Sequence, residues 1–294
     1  MKAKIGMVVL ACLFMPLLAG AEPISFEQAA NVTGMAGIEV GADVDYAYTK
    51  VESGGVTASE QTLTDIPVFV RAGIPILEAK LTLPYGTVKE SVGNESFSGI
   101  KDIDVMLKTG LLTLPVFSFA LGLDTTLPTG DPAKLLGEGL NLDPFVAVGV
   151  DAGVLKVHAN LGYRYRAEYE IKIDTVTIDP VSGLPVITGD QGVKIKPGDA
   201  IHFAVGVEVP AGDMFSLHAE LLAANYAEAK EAGAAVSGSS GTLLSVVPGV
   251  RMHAGPLKAK LGVEIPLSSK DDWPAYAPVA DWRVLGGLSL QFSL

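Results

Sequence analysis

The residues best suited to chemistry sit on alternate positions of one stretch. Its even positions are Lys156, His158, Asn160, Gly162, Arg164, Arg166, Glu168, Glu170 and Lys172, while its odd positions, from Leu155 to Ile173, are apolar or tyrosine. Two guanidinium groups two residues apart can hold carboxylates, and an imidazole beside them can titrate near neutral pH or ligate a metal. The other histidines, His202, His218 and His253, fall in later segments of the same alternating kind, so all four are expected on one inner surface at different heights. Metal ligands must converge, which makes solvated histidines the simpler expectation. Catalysis would need a nucleophile or activated water, a base and a group orienting that base. The sequence holds no Gly-x-Ser-x-Gly elbow and no His-Glu-x-x-His pair, and His218 with Glu220, two residues apart on one face, comes nearest to such a grouping. The expectation is therefore no catalytic residue, no metal and no cofactor, with an enzyme kept as the lesser alternative.

Only a strand produces such strict alternation, because its successive side chains point to opposite faces. The pattern recurs near 36 to 48, 64 to 72, 76 to 86, 100 to 110, 114 to 127, 142 to 150, 154 to 172, 199 to 209, 213 to 226, 242 to 253, 256 to 267 and 279 to 294. Short connections (Gly73-Ile74-Pro75, Leu111-Leu112-Thr113, Asp151-Ala152-Gly153, Ala211-Gly212 and Ala254-Gly255) alternate with long polar ones around 49 to 63, 87 to 99, 128 to 141, 173 to 198, 227 to 241 and 268 to 278. Tight turns on one side and long loops on the other, with an even strand number, fit the periplasmic and extracellular sides of a bacterial barrel. The expected fold is all-β: a transmembrane up-and-down antiparallel β-barrel of about twelve strands over residues 36–294, with both ends in the periplasm. Residues 22–35 precede it, and Ser25, Phe26, Glu27 and Gln28 have the form of a capping box for a short periplasmic helix. That segment could enter the barrel as a plug, or simply fray.

Residues 1–21 have the layout of a secretory signal peptide, with Lys2 and Lys4, an apolar run from Ile5 to Leu18, and Ala19-Gly20-Ala21 before Glu22. Export through the Sec pathway of a Gram-negative cell, with cleavage after Ala21, is expected. Cys12, the only cysteine, lies within that run with eleven residues ahead of it, too few for a lipoprotein signal. The mature chain then has no thiol for disulfides or thiolate metal sites. The composition, 49% hydrophobic and 18% charged with 33 glycines, is more apolar than that of an ordinary soluble domain. Beyond the signal no apolar run is long enough for a membrane helix, so a membrane-embedded chain must satisfy its backbone as a closed barrel. Taking Lys2 and Lys4 from the 21 basic residues leaves 19 against 33 acidic ones, a net charge of −14. That balance excludes nucleic acid as a partner, because phosphate binding needs a basic surface. Outer-membrane lipid and lipopolysaccharide, and the barrel assembly machinery, are the expected partners.

The eight tyrosines (Tyr46, Tyr48, Tyr85, Tyr163, Tyr165, Tyr169, Tyr226, Tyr276), with Trp273 and Trp282, fall near the long-loop ends of strands or in a long loop; Phe117, Phe215 and Phe292 fall near the other end. Rings with an apolar body and a polar tip suit the lipid boundary. The chain closes on Leu288, Leu290, Phe292 and Leu294 at alternate positions, which resembles the terminal strand read by the assembly machinery. A secreted β-sandwich also alternates; loop asymmetry, belts and the terminal strand favour the barrel.

Residues 99–165 carry Gly99-Ile100-Lys101-Asp102-Ile103 with Lys108, then Leu127-Pro128-Thr129-Gly130-Asp131, then Asn141-Leu142-Asp143-Pro144, then Asn160-Leu161-Gly162-Tyr163. This order resembles the outer-membrane barrel family labelled as the MetA-pathway of phenol degradation, whose members are called transporters. The resemblance covers about a quarter of the chain. It implies a barrel and uptake of small, aromatic or hydrophobic molecules, and carries over no catalytic residue. Physically, Pro128 and Gly130 end a strand and Asp131 can bond the turn backbone.

With the apolar faces towards lipid, the others line a charged lumen. Acidic candidates are Glu39, Asp43, Asp45, Asp102, Asp104, Asp124, Asp143, Glu208, Glu220 and Glu264; basic ones are Arg71, Lys80, Lys108, Lys156, Arg164, Arg166, Arg251, Lys258, Lys260 and Arg283. Among these and the histidines, Asp43, Asp102, Asp104, Lys108, Asp124, Lys156, His158, Arg164, Arg166, His218, Glu220, Arg251, Lys260 and Arg283 are the expected lumen-lining set. The segments at 36 to 48 and 100 to 110 are mainly acidic, and those at 154 to 172, 242 to 253 and 256 to 267 are richer in bases. The expected function is passive passage of small molecules through this lumen. The alternatives are a lumen plugged by its own ion pairs and a barrel serving structure or surface interaction, for which residues 174 to 198, drawn as a projecting hairpin, offer a surface.

Overall fold

The computed structural model describes residues 37–53, 56–74, 76–90, 96–114, 116–134, 136–178, 185–269, 274 and 280–293. The expected signal peptide with Cys12, the segment expected to carry a capping box, Trp273 and Tyr276 lie outside the described residues. The strands are β1 (Gly37–Ser53), β2 (Val56–Ile74), β3 (Leu77–Glu90), β4 (Ser96–Ile100), β5 (Ile103–Thr113), β6 (Phe117–Leu127), β7 (Asn141–Asp151), β8 (Lys156–Arg166), β9 (Tyr169–Ile178), β10 (Pro185–Lys196), β11 (Ala200–Ala211), β12 (Phe215–Tyr226), β13 (Lys230–Glu231), β14 (Ala234–Ala235), β15 (Gly241–Ala254), β16 (Leu257–Pro266) and β17 (Trp282–Ser293).

Twelve of them close a ring in the order β1-β2-β3-β5-β6-β7-β8-β11-β12-β15-β16-β17. Closure is antiparallel, from Gly37↔Ser293 to Tyr48↔Trp282 between β1 and β17, so over this span the described ring is closed on itself. The alternation fixes which face is which. Leu161, Val68 and Leu217 are 48%, 51% and 60% exposed on the outside, while Lys108 and Glu220 are 2% exposed inside. Tight turns join strands at one end of the barrel, where Gly153, Gly212 and Gly255 take φ of +80°, +82° and +61°, a region open to glycine and closed to most residues. Tyr46 and Tyr48 pack against Trp282 at ring-centroid distances of 5.5 and 5.8 Å near the long-loop end, as expected of a boundary belt. Tyr226 does not join that belt: it faces inward and is buried.

Prolines interrupt the ladder. Between β7 and β8 the pairing passes from Leu142↔Tyr165 to Phe145↔Gly162, skipping Pro144. It skips Pro67 between β1 and β2, and Pro248 between β15 and β16, in the same way. Proline has no N–H to give.

Three sequence expectations need correction. The run from Leu155 to Ile173 is not one strand. It breaks at Ala167 and Glu168, where the Arg166 amide turns to Asp199 Oδ1 at 3.0 Å and the Ala167 amide to the Leu140 carbonyl. Its continuation, β9, pairs with β10 and, through it, with β13 and β14 in a separate four-stranded sheet, which realises the projecting hairpin. The long loops at 49 to 63 and 87 to 99 contain much strand: β1 and β2 extend as a hairpin, and β4 pairs with the end of β3. Beyond the lipid neither face of a strand must be apolar, so the alternation fades while the pairing continues. Finally, Leu111-Leu112-Thr113 is not the turn. A bulge between Gly110 and Leu112 carries β5 to Thr113, and the turn follows.

Candidate functional site

The site is the inner wall. Strands β1 and β8 lie six steps apart around the ring in either direction, on opposite sides of the bore. The inner face of β1 carries Glu39, Asp43 and Asp45; that of β8 carries Arg166, Arg164, Asn160, His158 and, at the tight-turn mouth, the half-exposed Lys156. An acidic column therefore faces a basic one, and each is neutralised by its neighbours. Asp43 meets Lys260 at 3.1 Å, Glu39 meets Lys258 at 3.1 Å and Arg71 at 3.4 Å, and Asp45 meets Arg283 at 3.3 Å. Arg283 also holds Glu264 at 3.2 Å. On the other side Arg164 binds Asp143 at 2.9 Å, Arg166 binds Glu138 at 2.8 Å, His202 reaches Asp143 at 2.7 Å and His158 reaches Glu220 at 3.3 Å. Lys108 pairs with Glu78 at 3.0 Å and Arg251 with Glu208 at 3.1 Å. Burying such charges is costly unless each is paired, so each acid or base on the wall draws its opposite to a nearby strand.

How the pairs lie matters more than their number. Several skip a strand and cross over a glycine of the strand between. His202 of β11 reaches Asp143 of β7 over Gly162 of β8; a Cβ at Gly162 would stand 2.2 Å from His202 Nε2 and 2.7 Å from Asp143 Oδ1. His158 of β8 and Glu220 of β12 meet over Gly206, where a Cβ would lie 2.1 Å from His158 Nε2. Asp43 and Lys260 meet over Gly287, and Lys101 reaches Asp65, at 2.6 Å, over Gly86. Strand glycine often marks such close approach. The pairs thus lie flat on the wall.

The sequence-derived set largely falls on this wall. Asp43, Asp104, Lys108, Asp124, His158, His218, Glu220 and Arg283 are buried there, with Arg164, Arg251 and Lys260 half-buried. Asp104 accepts from the Thr126 hydroxyl at 2.8 Å. Two residues differ. Lys156 reaches only Asp151, at 4.0 Å, by the mouth. Asp102 lies in the link between β4 and β5, where it accepts from the amides of Gly130 at 2.7 Å and Glu138 at 2.6 Å. Burial pushes its carboxyl above the ordinary range against the pull of those amides. In the Leu-Pro-Thr-Gly-Asp piece the turn is thus held by Gly130 on Asp102 and by Thr129, whose hydroxyl accepts from the Ile103 amide at 3.0 Å.

Of the histidines, His158 and His218 come within 5.3 Å between ring centroids, His202 is separate on Asp143, and His253 is exposed. Among the described residues no group of three or more metal-binding side chains is placed to hold an ion. The sequence reading missed Glu138, Asp65, Lys101 and Glu78, and the inward Phe69 and Phe145. Phe69 carries Lys80 Nζ at 4.7 Å from its ring centre. Phe145 packs with Met106 and Ala147, and across the bore Ala204, Leu222, Val247 and Leu285 form a second apolar patch. Parity along β2 points Asp65 inward; nothing local signals Glu138, which arrives on a loop.

Above the strands, Asp199 gathers Lys196 Nζ at 2.6 Å, the Arg166 amide at 3.0 Å and the Tyr163 hydroxyl at 3.0 Å. Partial burial works against its charge, but these donors outweigh it and hold its pKa below the ordinary carboxylate value. Lys196 also donates to the Arg166 carbonyl, so this clasp fastens β10 to the top of β8.

The fold has solved counterparts. An outer membrane channel from Pseudomonas putida F1 superposes with a TM-score of 0.72 at 13% identity, over 92% of this chain and 100% of its own. The toluene transporter TodX of Pseudomonas putida gives 0.49 at 10% identity over 95% and 96% of the two chains. The translocator domain of the autotransporter NalP from Neisseria meningitidis gives 0.49 at 13% identity over 100% and 98%. No family model matches the sequence, and no curated protein matches it either. The first likeness supports the fold, that of an outer-membrane β-barrel.

Proposed function

We propose that the barrel is a passive channel for small molecules, with its charged wall as the selecting element. The observation that carries this is the tangential lie of the ion pairs. They join neighbouring strands or strands one apart, seated over glycines, so the charges line the bore instead of bridging it. Opposed acidic and basic columns orient a polar solute between them. Inward apolar patches at Phe145 with Met106 and at Leu222 with Val247 suit solutes that carry an aromatic or hydrophobic part, the class implied by the family resemblance. The Pseudomonas putida F1 protein of like fold is described as an outer membrane channel. The tight burial of Glu78, Lys108 and Glu220 favours a second feature, a bore that is narrow at rest.

Single-channel recording of the refolded protein in a planar bilayer tests the proposal, with Arg164 and Arg166 changed together to alanine. Stable steps whose selectivity moves towards cations in the variant are expected. A folded, heat-modifiable barrel that gives no steps overturns the channel reading in favour of a structural barrel.

A further inference from the structure

The loop at 128–140 places in the bore a charge that no strand carries. Asp102 fixes the loop near both ends by accepting from Gly130 and Glu138. Within it Gly130 passes so close to Leu136 that a Cβ would stand 2.0 Å from the Leu136 carbonyl oxygen, and Leu136 itself is buried. The loop is therefore a closed ring with Glu138 on its inner side. Glu138 Oε2 meets Arg166 Nη2 at 2.8 Å. Arg166 is the last residue of β8, so Glu138 stands at the long-loop mouth of the barrel. Below it the inner face of β8 descends through Arg164, His158 and Lys156, and His202 leans in over Gly162. The acids paired with Arg164, His202 and His158 are Asp143 and Glu220, which sit on strands fixed in the ladder. Glu138 alone among these acids can leave its base without breaking a strand pair.

We propose that Glu138 is a built-in competitor at the entrance of an anion path, and that small organic monocarboxylates enter by replacing its carboxylate on Arg166. This rests on the reading of the barrel as a channel. A guanidinium presents the same fork of N–H donors to any carboxylate, so the solute group reproduces the contact that Glu138 gives up. From Arg166 the next guanidinium, Arg164, is two residues down the same face. Phe145, two residues beyond Asp143 on the inner face of β7, is buried there with Met106 and Ala147, an apolar stretch of the wall that a solute must part as it passes. A carboxylate with an apolar body is favoured over an inorganic anion at that depth.

The test is single-channel recording in chloride with benzoate added as the probe, on the wild type, Glu138→Gln and Arg166→Gln, each shown to be folded by heat-modifiable mobility. Removing the competitor should raise the apparent affinity of benzoate block about tenfold, a change of one decade in Kd, and move the reversal potential towards anions. Removing the guanidinium should lower benzoate affinity by a similar factor. If Glu138→Gln does not fold, Arg166→Lys keeps the charge without the fork and should still weaken the block. Steps that are clear in every protein but equally sensitive to benzoate overturn the competitor role and leave the channel reading standing. Absence of steps in the folded wild type overturns both.

Discussion

Replacing Gly162 with alanine tests whether the wall glycines are seats for ion pairs. The new Cβ would sit 2.2 Å from His202 Nε2 and 2.7 Å from Asp143 Oδ1, inside a contact that is itself 2.7 Å long. Both partners are strand-borne, on β11 and β7, so neither can yield by a loop movement, and the contact must open. A hydrogen bond to a charged group contributes about 1.5–3 kcal/mol. Asp143 keeps Arg164 at 2.9 Å, which spares it the full cost of a stranded charge. Against this loss, exchanging glycine for alanine gains about 0.4–1 kcal/mol from the unfolded chain. The net expectation is a destabilisation of about 1–2 kcal/mol from those two contributions. Gly286→Ala is the control, because its Cβ would meet nothing nearer than 3.9 Å and should gain the entropic term alone. Urea unfolding in lipid vesicles, followed by tryptophan fluorescence, reads the difference. A Gly162→Ala midpoint equal to or above that of Gly286→Ala would refute the seat argument.

Other outcomes follow from the same contacts. Asp102→Ala frees the amides of Gly130 and Glu138 together, so proteolytic nicking within 128–140 should quicken while the barrel stays heat-modifiable; unchanged cleavage would remove Asp102 as the clamp. The Asp199 clasp should survive acidification unusually far. Its folded pKa is lowered, so its contribution is complete above the unfolded carboxylate value and is lost only as pH falls through the lower folded value. Exchange protection of the Arg166 amide should therefore persist to pH values below the ordinary carboxylate range, and should be absent at every pH in Asp199→Ala. On the lipid face, Leu161→Arg should cost up to about 2–4 kcal/mol if the residue lies at mid-membrane, read as a lowered urea midpoint. A neutral result would place that face of β8 away from lipid.

Alternation in the sequence carried the architecture because every spanning strand divides lipid from lumen, and Leu155 to Arg166 shows that division residue by residue. It failed where the division ceases to matter. At Ala167 the period runs on unbroken, but the donors of the ladder have been diverted to Asp199 and Leu140, a long-range event with no local mark. The lumen set was readable for the same reason as the strands: parity alone points Asp43, His158 or Glu220 inward. Parity says nothing about depth or partner, so the pairs over Gly86, Gly162, Gly206 and Gly287 could not be read. Loop-borne groups were the least legible. Glu138 looks like one more acid in a polar stretch, and its place depends on Asp102, which is 36 residues earlier in the chain.

The glycine seats also bear on how such a barrel proofreads its own assembly. Slipping a strand by one residue turns every side chain to the wrong face, and the membrane rejects it at once. Slipping by two leaves every apolar group in lipid and every charge inside, so alternation cannot detect the error. In this chain it is not silent. A two-residue slip of β8 brings the side chain of Asn160 or Arg164 to the spot that Gly162 leaves empty, beneath His202 and Asp143. Empty positions act as punctuation, distinguishing the true frame from its nearest impostors where hydrophobicity is blind.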